Sequence, residues 1–398
     1  LDSQSKNQSI ESHSTSLAES SVKTCVGVIG GGQLAAMMAL AAKSIDITLA
    51  VQTPEQHDPA ASLADRLVIG KIDDPVATEQ LAQFSQVITF ENEFVDLEQL
   101  GKLAERGVKF LPRLETLDRL VDKYKQRSLL QQQGIPVPNF HGINNRDDLE
   151  IAAKLIGFPA VLKARRYGYD GRGTFVVQSE TELTNAWCSM RQVPALLEEY
   201  VDFVQELAVM VARSESGECV VYPVVETEQV DQVCNRVIAP ARIDPMIAVQ
   251  AQSIAKTIAT NLNAVGIFGI EYFLTVDRKL SVNEIAPRTH NSGHYSIEAC
   301  QTSQFEQLLR VVTGMPLGDP TMHVPTAIMI NLLGYETATT DYADKRKYIT
   351  QLDRTYLHWY GKNEVKPGRK LGHVTVLADD YEQASIIAQQ VETIWYQL

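Results

Sequence analysis

The sequence predicts a mixed α/β and α+β protein: a parallel-sheet region first, an antiparallel α+β region in the middle and a small strand-rich region at the C-terminus. Three observations carry this. Short apolar runs alternate with helical stretches between residues 24 and 111, which is the pattern of strands joined by crossover helices. Beyond Pro159 the β-rich runs follow one another at hairpin spacing instead. A chain of 398 residues is also too long for one small core and suits two or three domains.

Composition narrows the class. Apolar residues make up 44% and charged residues 21%, as in a soluble globular protein with ample core material. No stretch reaches the roughly 18 consecutive apolar residues of a membrane span. Lys and Arg number 36 against 49 Asp and Glu, and the resulting net charge of -13 would repel a phosphate backbone, so neither nucleic acid nor membrane is an expected partner. Cys25, Cys188, Cys219, Cys234 and Cys300 lie far apart, odd in number and without C-x-x-C spacing, which fits a reducing cytoplasm. Residues 1–22 are rich in Ser, Gln and Asn and contain neither an apolar run nor an Arg. They are read as a disordered tail rather than a targeting segment.

Taken in order, a strand over 24–29 runs into Gly30, Gly31, Gly32, Gln33 and Leu34, and a helix over 35–43 follows. Further strands are expected at 47–51, 68–69, 86–90 and 108–111. A helix over 115–133 ends at Gly134 to Pro138, because proline lacks the amide hydrogen and bars the residue before it from helical geometry. That break is a candidate domain boundary. Hairpins are expected to pair 160–164 with 174–178 and 195–201 with 205–213, followed by 219–225. A helix over 245–262 leads into a third hairpin, 267–276 with 280–285, and the chain beyond Pro325 reads as strand-rich.

The first glycine cluster matches G-x-G-x-x-A between a strand and a helix, where backbone amides can face a phosphate. A dinucleotide, another phosphate-bearing ligand and a tight turn are the alternatives. The second strand ends in Val51, Gln52 and Thr53 where a ribose-binding acid is expected, which counts against a nicotinamide cofactor. Glu91 and Glu93 stand at a strand's C-terminal end, where open α/β sheets bind ligands.

The second glycine loop, from Tyr167 to Gly173, is more specific. Gly168, Gly171 and Gly173 let backbone approach a ligand, Arg172 can fork onto phosphate or carboxylate, and Asp170 can take a proton or an amine hydrogen bond. Lys163 stands at its mouth. No Walker A string occurs.

A two-residue turn at Asp277 and Arg278 would place Glu271 directly opposite Glu284. Two like charges in apolar strand repel unless a cation or a shared proton compensates. Magnesium suits such a pair because it favours oxygen ligands. Arg288, Thr289, His290, Asn291 and His294 follow at once, a polar string placed as an active-site loop; zinc is disfavoured by the absence of thiol partners or regular His spacing. Lys362, Arg369 and Lys370 form a cationic cluster near the end of an acidic chain.

Together these strings resemble the ATP-grasp superfamily, and within it the purine-pathway branch that carboxylates aminoimidazole ribonucleotide. The resemblance rests on Gly31 to Leu34, Tyr169 to Gly173, Asn283 to Arg288, His290 to His294 and Pro367 to His373, and runs from about residue 23 to the end. It leaves the tail over 1–22 unmatched and implies a Rossmann-like pre-ATP-grasp domain over 23–118, an ATP-grasp domain over 119–318 and a C-terminal domain over 319–398. The implied activity is an ATP- and Mg2+-dependent ligase joining bicarbonate to the ribonucleotide, in a homodimer.

The resemblance further implies that Lys123 and Lys163 touch ATP phosphates, that Glu198, Glu199, Tyr200 and Val201 line the adenine pocket, and that Glu206 takes the ribose. Glu271 and Glu284 would hold magnesium, beside Asn283. Tyr169, Asp170 and Arg172 would meet the ribonucleotide amine, with Arg288, His290 and Asn291 at the reacting centre. Lys362, Arg369 and Lys370, helped by Gln33, Glu91 and Glu93, would bind its phosphate. One departure is Gln229, where the family often has His; it can hydrogen-bond but carries no charge. A biotin carboxylase-like ligase, a non-enzymatic nucleotide binder and a dehydrogenase are the competing readings.

Overall fold

A computed structural model describes residues 23–166, 168, 173–362 and 364–397. The first region is a parallel sheet in the order Arg66–Ile69, Thr48–Thr53, Cys25–Ile29, Val87–Phe90, with helix Gln33–Ser44 after the first strand. Strands Cys25–Ile29 and Val87–Phe90 end side by side, so Gly30 to Gly32 and Glu91 to Glu93 share one sheet edge. Gln52, at the end of its strand, is fully buried. Its amide donates to Lys71 O at 2.6 Å and its carbonyl accepts from the Thr78 hydroxyl at 2.9 Å, so it serves the fold.

The helix expected over 115–133 is two helices, Leu114–Leu120 and Lys123–Gln132. Asp122 makes the break. Its carboxylate caps the second helix by accepting from the Tyr124 and Lys125 amides, offsetting two of the orphan donors of a helix start.

Two antiparallel sheets follow. A four-stranded sheet runs Phe140–Ile143, Ala195–Glu199, Ala160–Ala164, Thr174–Val177. A nine-stranded sheet runs Leu280–Ala286, Gly266–Thr275, Phe203–Arg213, Val225–Val230, Val233–Ala239, Thr326–Leu333, Lys370–Ala378, Thr355–Trp359, with Cys219–Val221 paired to Phe203–Arg213. The expected hairpin of 195–201 with 205–213 does not form. Residues 200–202 carry the chain from one sheet into the other, so the two strands pair with different partners. The first hairpin forms as expected, and the third forms between the expected strands but through a different turn.

The C-terminal strands build no separate sheet; they extend the central one through the pairing of Val233–Ala239 with Thr326–Leu333. They are covered by helix Tyr381–Gln397, which buries Ala384, Ala388, Val391 and Trp395 at helical spacing. On the same face of the sheet, the central hairpin is packed by helix Pro245–Asn261 through Ile247, Ala251, Ala255 and Ile258. All five cysteines are free, and no helix among the described residues is long and apolar enough to cross a membrane.

Candidate active site

Glu271 and Glu284 are cross-strand partners, but not through a two-residue turn. The Thr275 amide donates to Lys279 O at 3.0 Å, leaving a three-residue loop with Arg278 in the left-handed region (φ 64). That loop alone would set Glu271 against Asn283. A bulge at Asn283, between the Glu271–Glu284 and Tyr272–Val282 pairs, restores the acidic pair.

The bulged strand is clamped from helix Lys123–Gln132. Gln126 donates to Ile285 O at 3.1 Å and accepts from Ile285 N at 2.9 Å, while Arg127 donates to Asn283 O. These side chains were not among the sequence candidates. Their signal was weak: an Arg and a Gln in a polar helix ordinarily face water.

Cations frame the acids. Lys123 Nζ lies 2.6 Å from Glu284 Oε1, and Lys163 Nζ lies 2.6 Å from Glu198 Oε2 and 3.1 Å from Asn283 Oδ1. Asn283 in turn donates to Glu271 Oε2 at 3.4 Å. Burial lowers the Lys163 pKa, with Arg127 and Lys123 adding to it against the pull of Glu198. Burial also works against ionised Glu284, but Lys123 and then Lys163 outweigh it and lower its pKa.

Glu271 goes the other way. Burial, then Glu284, then Glu206 push it up to about 7. No group of three or more His, Cys, Asp or Glu side chains among the described residues could cage a metal. Two carboxylates with an adjacent amide oxygen do fit magnesium, which commonly takes one or two carboxylates and completes its octahedron with water and phosphate.

The raised pKa has a sign. With a folded value of about 7 against an ordinary 4.5, ionising Glu271 costs free energy only in the folded state. Metal-free stability therefore falls as pH rises from about 4.5 to about 7 and is level above that. The side chain keeps 30% of its surface exposed, which moderates the effect. In EDTA, Glu271→Gln is expected to melt above the wild type at pH 8, with the gap narrowing towards pH 5. Equal melting temperatures at pH 8 would contradict this origin of the shift.

The adenine-side candidates divide. Glu198 turns inward, its side chain only 2% exposed, and pairs with Arg127 as well as Lys163. Glu199 accepts from the Asn139 amide and side chain at 3.0 and 2.7 Å. Tyr200 is exposed and Val201 half-buried on the segment linking the two sheets. Burial raises the Glu206 pKa, against a hydrogen bond from Gln229, so those two candidates do meet.

The parallel sheet contributes the opposite wall. Arg288 forks onto Glu93, with Nε at 2.5 Å and Nη2 at 3.2 Å, tying the sheet edge to the acidic hairpin. Glu91 fills the first glycine turn: a Cβ on Gly30 would lie 2.6 Å from its Oε2 and one on Gly32 2.4 Å from its Oε1. Burial raises its pKa, opposed by Arg288, the Leu34 amide and Lys362. The anion at this helix start is thus a carboxylate of the chain itself. Gln33 opens that helix.

His290 Nε2 lies 3.5 Å from Glu271 Oε1; burial, then Arg288, then Lys370, lower its pKa to about 4, so the ring is neutral. Asn291 exchanges amide hydrogen bonds with Asn331 at 3.0 and 2.7 Å. Lys362 Nζ donates to Lys370 O at 2.7 Å, and Arg369 donates to Glu364 O at 2.8 Å. All three parts of the chain therefore meet around the acidic pair. Gly168 lines a small cavity with Glu93, Lys123 and Glu284, and Gly173 takes a positive φ of 74. Tyr169, Asp170, Gly171 and Arg172 lie outside the described residues.

Comparison with known proteins agrees with this arrangement. Three family models match: a ribonucleotide synthetase preATP-grasp domain over residues 23–119, an ATP-grasp domain over 128–305, and a phosphoribosylaminoimidazole carboxylase C-terminal domain over 327–386. The N5-carboxyaminoimidazole ribonucleotide synthase of Synechococcus elongatus is 50% identical over 376 residues, covering 93% of this chain and 95% of the relative. A crystal structure of an ADP complex of an N5-carboxyaminoimidazole ribonucleotide synthetase superposes with a TM-score of 0.87 at 36% identity, covering 94% and 97% of the two chains. That of the Aspergillus clavatus enzyme with ADP and 5-aminoimidazole ribonucleotide gives 0.88 at 32% identity, covering 94% and 99%. The chain belongs to the N5-carboxyaminoimidazole ribonucleotide synthase family, within the ATP-grasp ligases.

Proposed function

We propose that the chain catalyses the ATP-dependent carboxylation of 5-aminoimidazole ribonucleotide by bicarbonate, forming N5-carboxyaminoimidazole ribonucleotide, ADP and phosphate in purine biosynthesis. One observation carries it. The Glu271–Glu284 pair, flanked by Lys123 and Lys163, faces a wall built by Arg288, His290 and the Lys362–Lys370 end of the chain.

The residue types suit the chemistry. A bicarbonate oxygen attacks the γ-phosphorus, two anions are brought together, and fixed cations lower the cost of doing so. Lys123 and Lys163 supply fixed charge at the phosphates. Magnesium, held by Glu271 and Glu284, would neutralise phosphate charge there. Glu206 and Gln229, with the backbone of residues 199 to 201, form the nucleoside end. Carboxyphosphate is hydrolysed in water, so the reacting centre has to exclude solvent. Arg288 and the neutral His290 sit where its carboxyl group would be polarised. Lys362, Arg369 and Lys370 provide charge for the ribonucleotide 5'-phosphate. On motif alone, Tyr169 and Arg172 belong to the acceptor side, and Asp170 orients the exocyclic amine or takes its proton. A homodimer in the cytoplasm is the matching setting; the five free cysteines support the compartment.

Phosphate release from Mg-ATP and bicarbonate tests the reading, run with and without 5-aminoimidazole ribonucleotide in the wild type and in Asp170→Asn. Strong stimulation by the ribonucleotide in the wild type, lost in the variant while ATP still binds, is the expected result. Release indifferent to the ribonucleotide would point to a different acceptor.

A further inference from the structure

We propose that Gln304 is a positioning residue for this reaction: its buried carboxamide sets where the His290 ring stands against Glu271 and fixes the tautomer of His294 behind it. The kinetic part of this inference rests on the carboxylation reading; the geometric part does not.

Gln304 opens helix Gln304–Thr313, and its side chain is fully buried, an unusual place for an amide. Its Oε1 accepts from the His290 amide at 2.9 Å, and its Nε2 donates to His290 O at 2.8 Å and to His294 Nδ1 at 3.0 Å. One side chain thus serves His290 as a strand neighbour would. The Gln304 backbone amide is itself anchored on the Ser296 hydroxyl at 2.9 Å.

Two glycines make room for the clamp. A Cβ on Gly293 would stand 2.5 Å from Gln304 Oε1, and one on Gly269 would stand 2.6 Å from His290 Cβ. With the backbone so held, the Ser292 amide points at His290 Nδ1 at 3.4 Å, the Ser292 hydroxyl stands 2.8 Å from the same nitrogen, and Nε2 is left facing Glu271.

The same amide reaches the other end of the site. Because Nε2 of Gln304 donates to Nδ1 of His294, the His294 proton sits on Nε2. The His294 ring lies 4.9 Å from that of His373, which stacks on His358 at 4.4 Å and 8°, and His358 bonds Glu298 at 2.6 Å. His373 and Lys370 share one strand. Gln304 therefore joins the histidine beside the acidic pair to the strand that carries the cationic end.

The test uses Gln304→Met, which removes the clamp at similar volume, and Gln304→Glu, which keeps an acceptor but opposes the His290 carbonyl. Assays run well below each melting temperature, and imidazole 15N spectra are recorded for all three proteins. A displacement of about 1 Å costs up to about a hundredfold, so kcat is expected to fall about ten- to a hundredfold while KM for ATP moves less than about threefold. His294 is expected as the Nε2–H tautomer in the wild type and altered in both variants. Variants that fold, lose stability and keep kcat within about twofold would reduce Gln304 to a packing residue. A wild-type His294 protonated on Nδ1 would overturn the proposal as well. If the methionine variant fails to fold, the glutamate variant decides. Absence of ribonucleotide-dependent turnover in the wild type would sink the carboxylation reading instead, and the imidazole signals alone would then judge the clamp.

Discussion

Glu284→Gln is expected to lower ribonucleotide carboxylation at least about a thousandfold, or about 4 kcal/mol of transition-state stabilisation. The substitution acts twice. It removes one of the two carboxylates proposed to hold the divalent cation, and it deprives Lys123, 2.6 Å away, of its counterion. Because Gln keeps the size and the cross-strand pairing with Glu271, the fold is expected to persist. Circular dichroism should therefore match the wild type, with melting at neutral pH lowered only modestly by loss of the half-exposed Lys123 pair, while magnesium-dependent nucleotide binding collapses. Residual activity above about a tenth of the wild type would place the metal elsewhere.

Glu198→Gln should strongly lower stability. Its carboxylate lies between Arg127, buried with it, and the largely buried Lys163. Burial by itself would raise the Glu198 pKa, but Arg127 and then Lys163 outweigh it and hold it at about 2. Removing one partner of a buried ion pair leaves an uncompensated charge and costs about 3–5 kcal/mol. Arg127 cannot shed its proton; Lys163, already lowered by burial, would lose its own more easily and with it part of its charge towards phosphate. Denaturant unfolding should show the loss at neutral pH, together with weaker ATP binding. The sign follows from a depressed pKa: the contribution is present above about 4.5 and disappears as pH falls towards about 2, so the two proteins should converge in acid. An unchanged midpoint at pH 7 would mean that the triad contributes nothing net.

How far the sequence reached is best seen at three places. The acidic pair was legible, because two glutamates in apolar strand on either side of a short loop already imply proximity. The route to it was not: the loop has three residues rather than two, and the bulge at Asn283 compensates. That bulge is held by Gln126 and Arg127 from a helix more than 150 positions earlier, and no local pattern contains such a contact. The glycine turn at Gly30 to Gly32 shows the opposite limit. Its pattern announces a close approach but leaves open what approaches, and the structure supplies Glu91.

Glu198 and Asn291 show why roles are harder than positions. Both lie in strings that point to the site, yet Glu198 faces the cations of Arg127 and Lys163 and Asn291 is bonded to Asn331. Gln304 had no motif to announce it.

The sequence by itself determined the alternation that makes the first sheet parallel, the hairpin spacing that makes the second region antiparallel, and which residue types could handle phosphate, carboxylate and a divalent cation. These follow from side-chain period and chemical type, which are local properties. Only the tertiary structure decided that residues 195–199 and 203–213 belong to different sheets, that the C-terminal strands extend the central sheet, and that Glu93, Arg288, Lys123 and Lys370 gather around one acidic pair. Strand partners and buried charge networks are chosen by competition among distant surfaces, each gaining only when its alternatives are already taken, and that competition leaves no trace in a short window of sequence.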